Sequence, residues 1–312
     1  MADADGSVIL RKLLVGALVL IVIGLAAFWF LTSPRTVSAS ALGAHTPDLA
    51  NGKTLFDVGG CSTCHATPKQ KDRTRLGGGR ALKTPFGTFY PPNISSDTKD
   101  GIGGWSEAQF VTAMHDGVSP GGAHLYPAFP YTSYAHMTFD DLRDLFAYLK
   151  TLPAVQGRAP AHELSFPLTV RRGIGLWKLL FLDRTIFKPD PSKSAVWNRG
   201  AYLVNGPGHC AECHSPRNAV GAVVADKRFA GGPNPEGKGW VPNITQKGLA
   251  DWSVKDIAYL LESGMTPDGD SVGSSMTDVV ANTALISDAD RTAIATYIKS
   301  LPPVEGPPKP KK

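Results

Sequence analysis

The sequence predicts a mostly α-helical chain in which an N-terminal membrane-crossing helix precedes two tandem domains of one kind. Three observations carry that prediction. An uncharged run from Leu13 to Leu31 is long enough to span a bilayer. The second half of the chain repeats the first with an offset of about 150 residues. In each half apolar residues recur at helical spacing, and no convincing run of alternating strand residues is present. The resulting boundaries are an anchor over 1–35, a first domain over 36–155, a linker over 156–194, a second domain over 195–305 and a basic, proline-rich tail over 306–312.

The apolar run follows Arg11 and Lys12 and ends near Phe28, Trp29 and Phe30. A cleaved signal has a shorter apolar core, about 7 to 15 residues, with a small-residue cleavage site just after it. The nearest such site, Ala39-Ser40-Ala41, lies beyond Ser33, Pro34 and Arg35, so the run is expected to stay as an anchor. Basic flanking residues stay in the cytoplasm, which puts everything after Ser33 on the far side of the membrane.

The stretch Cys61-Ser62-Thr63-Cys64-His65 recurs as Cys210-Ala211-Glu212-Cys213-His214, and together these use all four cysteines. The Cys-x-x-Cys-His spacing reads as a covalent attachment site for c-type haem. Two thiols one helical turn apart reach the two vinyl groups of one porphyrin, and the adjacent imidazole binds the iron. Cys61, Cys64 and His65 would hold one haem, and Cys210, Cys213 and His214 a second. A four-cysteine zinc site is the plainer alternative, but its pairs usually lie about 15 to 20 residues apart, far closer than here. A thioredoxin-like dithiol needs a βαβ pattern, which the sequence lacks.

The repeat extends well past these motifs. Pro92-Asn93-Ile94 matches Pro242-Asn243-Ile244, Gly104-Trp105-Ser106 matches Asp251-Trp252-Ser253, and Leu152-Pro153-Ala154-Val155 matches Leu301-Pro302-Pro303-Val304. Ser106 with Gln109, and Ser253 with Asp256, predict capped helix starts, and Gly117 and Gly264 predict the corresponding ends. A further helix is expected from about Asp140 to Lys150 and from Ser287 to Lys299, and a short one before each haem motif.

Each iron then needs a sixth ligand. No histidine follows His214, which leaves Met265, Met276, a less usual ligand or no sixth ligand for the second haem. The first half offers Met114 and Met137, with His115, His124 and His136 nearby. Met137 and Met276 each fall between the middle and last helices of their half and are the expected ligands, with His136 the main rival to Met137. A thioether is soft and neutral, favours iron(II) and suits electron transfer.

A net charge of only +5, part of it from Lys309, Lys311 and Lys312 in the tail, does not point to nucleic acid. Arg80, after three glycines, is expected either at a haem propionate or in a solvated loop. The apolar linker segment Leu176 to Leu182 is expected to pack between the two domains, with a membrane-surface or partner-docking role as the alternative.

Three stretches together carry a family likeness: Phe86-Gly87-Thr88-Phe89-Tyr90-Pro91-Pro92-Asn93-Ile94, Gly101-Ile102-Gly103-Gly104-Trp105-Ser106 and Leu125-Tyr126-Pro127-Ala128-Phe129-Pro130-Tyr131-Thr132-Ser133-Tyr134. They resemble the cytochrome c subunits of bacterial membrane-bound alcohol, aldehyde and gluconate dehydrogenases, from about Pro47 to Val304. The resemblance implies class I cytochrome c folds, two covalent haem c groups, a periplasmic location at the inner membrane and no catalytic residues. It implies a dehydrogenase subunit as electron donor and ubiquinone, a cytochrome or an oxidase as acceptor. Many members of that family carry three haems, and some have methionine where this chain has Phe129. Competing expectations are a dihaem subunit of a terminal oxidase, a dihaem peroxidase or a thiosulfate dehydrogenase.

Overall fold

The computed structural model describes residues 2–309, with side chains from Ser7 onward; Lys311 and Lys312 lie outside the described residues. Helix α1 (Ala2–Leu31) is exposed along most of its apolar length and meets the rest of the chain near its C-terminal end, at Trp29. Its Ser7–Leu31 portion, 25 residues long, is long and apolar enough to cross a membrane. At 1.5 Å per residue it extends about 37 Å, more than a hydrocarbon core requires.

The first half is built from α2 (Leu49–Val58), α3 (Cys61–His65), α4 (Glu107–Asp116), α5 (Tyr131–Tyr134) and α6 (Phe139–Thr151). Asp48 caps α2 by accepting from the Ala50 and Asn51 amides. Ser106 and Gln109 form the expected capping box on α4, which ends at Gly117 in the left-handed conformation. Thr138 caps α6. Helices α2 and α6 cross so closely that a Cβ on Gly52 would sit 2.2 Å from the Asp144 carbonyl oxygen. Leu55, Phe56, Leu142, Leu145, Phe146 and Leu149 fill the crossing.

After the linker helix α7 (Ile174–Phe181), the same order returns in α8 (Ala195–Asn205), α9 (Ala211–His214), α10 (Val254–Ser263), α11 (Met276–Thr283) and α12 (Asp288–Lys299). The second capping box joins Ser253 to Asp256, Gly264 ends α10 in the left-handed conformation, and Ser287 caps α12. Here Gly200 makes the close crossing, its missing Cβ 1.9 Å from the Ala293 carbonyl oxygen. Leu203, Val204, Ile294 and Ile298 continue one hydrophobic core that runs through both halves.

Two small antiparallel sheets add to the helical reading. Strands β1 (Leu82–Thr84), β2 (Gly87–Phe89) and β3 (Glu163–Leu164) form one, and β4 (Gly232–Pro233) and β5 (Trp240–Val241) the other. Strands of two or three residues are too short to show alternation, which is why the sequence pattern misses them. The linker packs mainly on the first half: Ile174 joins Phe89 and Tyr126, and Leu182 joins Tyr131 and Ala135. It also reaches the second half, where Trp177 donates to the Val220 carbonyl at 3.0 Å and the Phe187 ring lies tilted against that of Tyr202, 5.4 Å between centroids.

Candidate haem-attachment sites

Each Cys-x-x-Cys-His stretch forms a short helix, α3 or α9, entered through a residue of positive φ: Gly60 at 56° and His209 at 38°. The four thiols are free and half-buried. Burial pushes Cys61 and Cys213 up to about 12 and Cys210 to about 11, and raises Cys64 as well. Burial thus favours the neutral thiol over the thiolate at all four positions in the polypeptide without haem. Among the described residues, no three His, Cys, Asp or Glu side chains converge as a metal-ion site.

The two histidines are held in identical fashion. His65 Nδ1 lies 2.8 Å from the Pro92 carbonyl oxygen, and His214 Nδ1 lies 2.8 Å from that of Pro242. A carbonyl only accepts, so Nδ1 carries the proton and Nε2 keeps its lone pair for iron. Burial holds both imidazoles below their ordinary pKa, with the carbonyl bond opposing it.

A backbone bond on the same residue completes each clamp. The Gly78 amide donates to the His65 carbonyl and the Gly231 amide to that of His214, both at 2.8 Å. Both glycines have positive φ, and a Cβ on Gly78 would come within 2.4 Å of the Pro91 carbonyl oxygen. The asparagine of each Pro-Asn-Ile motif then ties the loop to the end of its half. Asn93 Nδ2 donates to the Val155 carbonyl at 2.6 Å, and Asn243 Nδ2 to that of Val304 at 2.8 Å. Thus two repeat motifs far apart in sequence serve one purpose, which is to fix the proline carbonyl under the histidine.

The opposite half closes each site. Asn282 on α11 donates to the Thr63 hydroxyl at 2.8 Å, and Arg80 Nη1 bridges the Thr63 carbonyl at 2.8 Å and Asp278 at 3.0 Å. Arg80, expected at a propionate or in solvent, is thus engaged with the second half. In return, Thr132 and Ser133 on α5 donate to Glu212 of α9 at 2.8 and 3.0 Å, while Arg217 pairs with its other oxygen at 2.7 Å. Between the two helices, His209 Nε2 lies 3.2 Å from the Gly59 carbonyl oxygen.

Paired thiols with an adjacent, carbonyl-oriented imidazole fit covalent haem c at both places. The cytochrome c family model matches residues 49–153. Over 298 residues the chain is 46% identical to a diheme cytochrome c-type protein of Cereibacter sphaeroides, covering 95% of this chain and 99% of that one. This chain belongs to the dihaem c-type cytochromes. The cytochrome transfers electrons and carries two covalently bound haem c groups. The fructose dehydrogenase cytochrome subunit of Gluconobacter japonicus is 35% identical to it, over 83% of this chain and 54% of that protein. The cytochrome c subunit of the quinone alcohol dehydrogenase of Gluconobacter oxydans is 34% identical, over 88% of this chain and 60% of that protein. The cytochrome thus spans little more than half the length of these two dehydrogenase relatives.

The methionines of the cytochrome fall into different places. Met137 is fully buried, immediately before the Thr138 cap of α6; Met276 is half-buried and opens α11. Matching bonds, Leu125 to Gly117 and Val272 to Gly264, set the register of the two halves. From there to the cap of the last helix the second half is two residues longer. Counted from those bonds Met276 falls at the place of Phe129, and counted back from the caps Met137 falls at that of Ile286. The expectation that the two methionines hold comparable positions is corrected by this insertion. The histidines near Met137 have other partners: His115 with Asp116 and the Arg184 carbonyl, His124 with the Thr32 carbonyl, and His136 with the Thr185 carbonyl. Met114 is buried on α4, and Met265 is partly exposed beside Ser271.

Proposed function

We propose that this cytochrome takes electrons from a dehydrogenase partner and passes them to a respiratory-chain acceptor: ubiquinone, another cytochrome or an oxidase. In this reading 36–155 and 195–305 are tandem cytochrome c domains, joined by 156–194 and anchored by 1–35 in a bacterial inner membrane with both domains in the periplasm. When bound, haem c supplies a one-electron iron couple, with no bond chemistry on substrate. Cys61, Cys64, Cys210 and Cys213 hold the two groups, and His65 and His214 present Nε2 to the irons. Met137 and Met276 are the assigned sixth ligands, acting from different places in the repeat.

The observation that carries the reading is that each attachment helix is bonded to the opposite half of the chain. Glu212, Asn282 and the His209–Gly59 bond fasten each helix to the other half, which supports reading the two sites as neighbours along one electron path. A dehydrogenase donor is supported by the relatives that are named as dehydrogenase cytochrome subunits.

The test is gentle solubilisation of native membranes, capture through a C-terminal tag and mass spectrometry of what stays bound. A dehydrogenase subunit that reduces both haems on addition of its substrate is expected. Recovery of haem-copper oxidase subunits alone would overturn the donor assignment.

A further inference from the structure

Helix α7 is turned inside out for a protein in water. Its one charged residue, Lys178, is buried, whereas Leu176, Leu179 and Leu180 are 40%, 46% and 75% exposed. Lys178 Nζ donates to the carbonyl oxygens of Asp116 and Gly117, approaches His124 Nδ1 at 3.2 Å, and lies 4.7 Å from the Tyr131 ring centroid. Its donors are satisfied inside the protein, so the buried amine has a partner for each of them. The three leucines, spaced i, i+3 and i+4, form the opposite face. A helix against water shows the reverse pattern.

The position of α7 indicates what covers that face. It begins where the apolar span of α1 ends: a Cβ on Gly175 would lie 2.6 Å from Thr32 Cβ. Arg172 donates to the Thr32 hydroxyl at 2.8 Å and to the Trp29 carbonyl, and its guanidinium stacks 4.0 Å over the Trp29 ring. His124 Nε2 donates to the Thr32 carbonyl at 2.8 Å. Arginines beside tryptophan at the end of an apolar helix mark the boundary between hydrocarbon and headgroups. Leading into α7, Phe166 is 81% and Val170 48% exposed.

We propose that α7 lies in the plane of the membrane, with Leu176, Leu179 and Leu180 in the acyl boundary, as a second attachment beside the α1 anchor. The arrangement matches an interfacial helix, apolar on one face and flanked by arginines. The inference rests on the reading of α1 as membrane-spanning.

The four native cysteines are taken up by haem, which leaves an introduced thiol free for labelling. Full-length Leu180→Cys holoprotein would carry an environment-sensitive fluorophore in liposomes containing nitroxide-labelled acyl chains. Val19→Cys in α1 and Tyr259→Cys, exposed on α10, serve as controls. The expected result is a blue-shifted Leu180 label, quenched by the labelled lipid, beside an unquenched Tyr259 label. A Leu180 label that behaves like the Tyr259 label while Val19 is quenched would overturn the proposal and leave the anchor intact. An unquenched Val19 label would instead overturn the anchor reading. A Leu180 label shielded only on addition of a partner protein would make this a protein-docking face and also overturn the proposal.

Discussion

The Asn282 side chain donates to the Thr63 hydroxyl at 2.8 Å, joining a helix of the second half to the haem-attachment helix of the first. Its oxygen accepts from Ser62 at 3.3 Å and from Arg73 at 3.2 Å, so one amide organises three groups beside Cys64. Glu212 does the reciprocal service for α9 through Thr132 and Ser133. The two sites are thus completed by each other.

Replacing Asn282 by leucine removes that amide, which takes away the acceptor of the Ser62 hydroxyl and one of the two donors to the Thr63 hydroxyl, the other being Arg73 at 3.2 Å. A loss of about 1–3 kcal/mol in holoprotein stability is expected from chemical denaturation. The potential of the first haem should shift while that of the second stays in place. Equal shifts in both would mean that the residue acts on the whole fold.

Asn93→Ala and Asn243→Ala should each release the loop that carries the proline carbonyl. Each change removes a bond to a carbonyl just past the last helix of its half, 2.6 Å to Val155 or 2.8 Å to Val304, and is expected to cost about 1–3 kcal/mol. Redox titration should show a shift confined to the haem of the altered half.

The two assigned thioether ligands give a spectroscopic test. Met276→Leu should remove one contribution to the near-infrared methionine-to-iron(III) band and lower one potential, and Met137→Leu should remove the other. A full band in Met137→Leu would leave the first iron without a thioether, with Phe129 at the place that Met276 fills in the second half.

Acid stability should depend on Asp144. Burial pushes its pKa up, but bonds from Asn51, the Asp48 amide and His45 outweigh this and hold it below the usual carboxylate value. A depressed carboxylate stabilises the fold above its unfolded value, about 4, and that contribution is lost as pH falls through the lower folded value. Asp144→Asn should therefore be less stable at neutral pH and show a flatter acid limb in unfolding measured from pH 6 to 2.

Much of the fold is legible in the sequence because the signals are local. The capping boxes at Ser106 and Ser253, the glycine ends at 117 and 264 and the haem pentapeptides each lie within a few residues and have a direct chemical reason. The Pro-Asn-Ile repeat is visible, but its purpose is not, since the Pro92 carbonyl meets His65 only after the chain has folded back. The Asn282–Thr63 contact spans more than two hundred residues and has no local signature. The ligand register escapes sequence reading for a related reason: two extra residues before α12 slide Met276 opposite Phe129, and such an insertion shows only once matching bonds are found on both sides. The leucines of α7 point to packing between domains when only their spacing is known, because spacing identifies an apolar face but not what lies against it.

If α1 crosses the membrane as proposed, the grip of Arg172 and His124 on its end makes that connection a mast and not a leash. A cytochrome on a loose tether can swing between donor and acceptor. One held at a fixed height and tilt must instead meet them by sliding sideways, so the rate of electron delivery would be governed by two-dimensional diffusion and by partners whose docking faces lie at a matching distance from the bilayer.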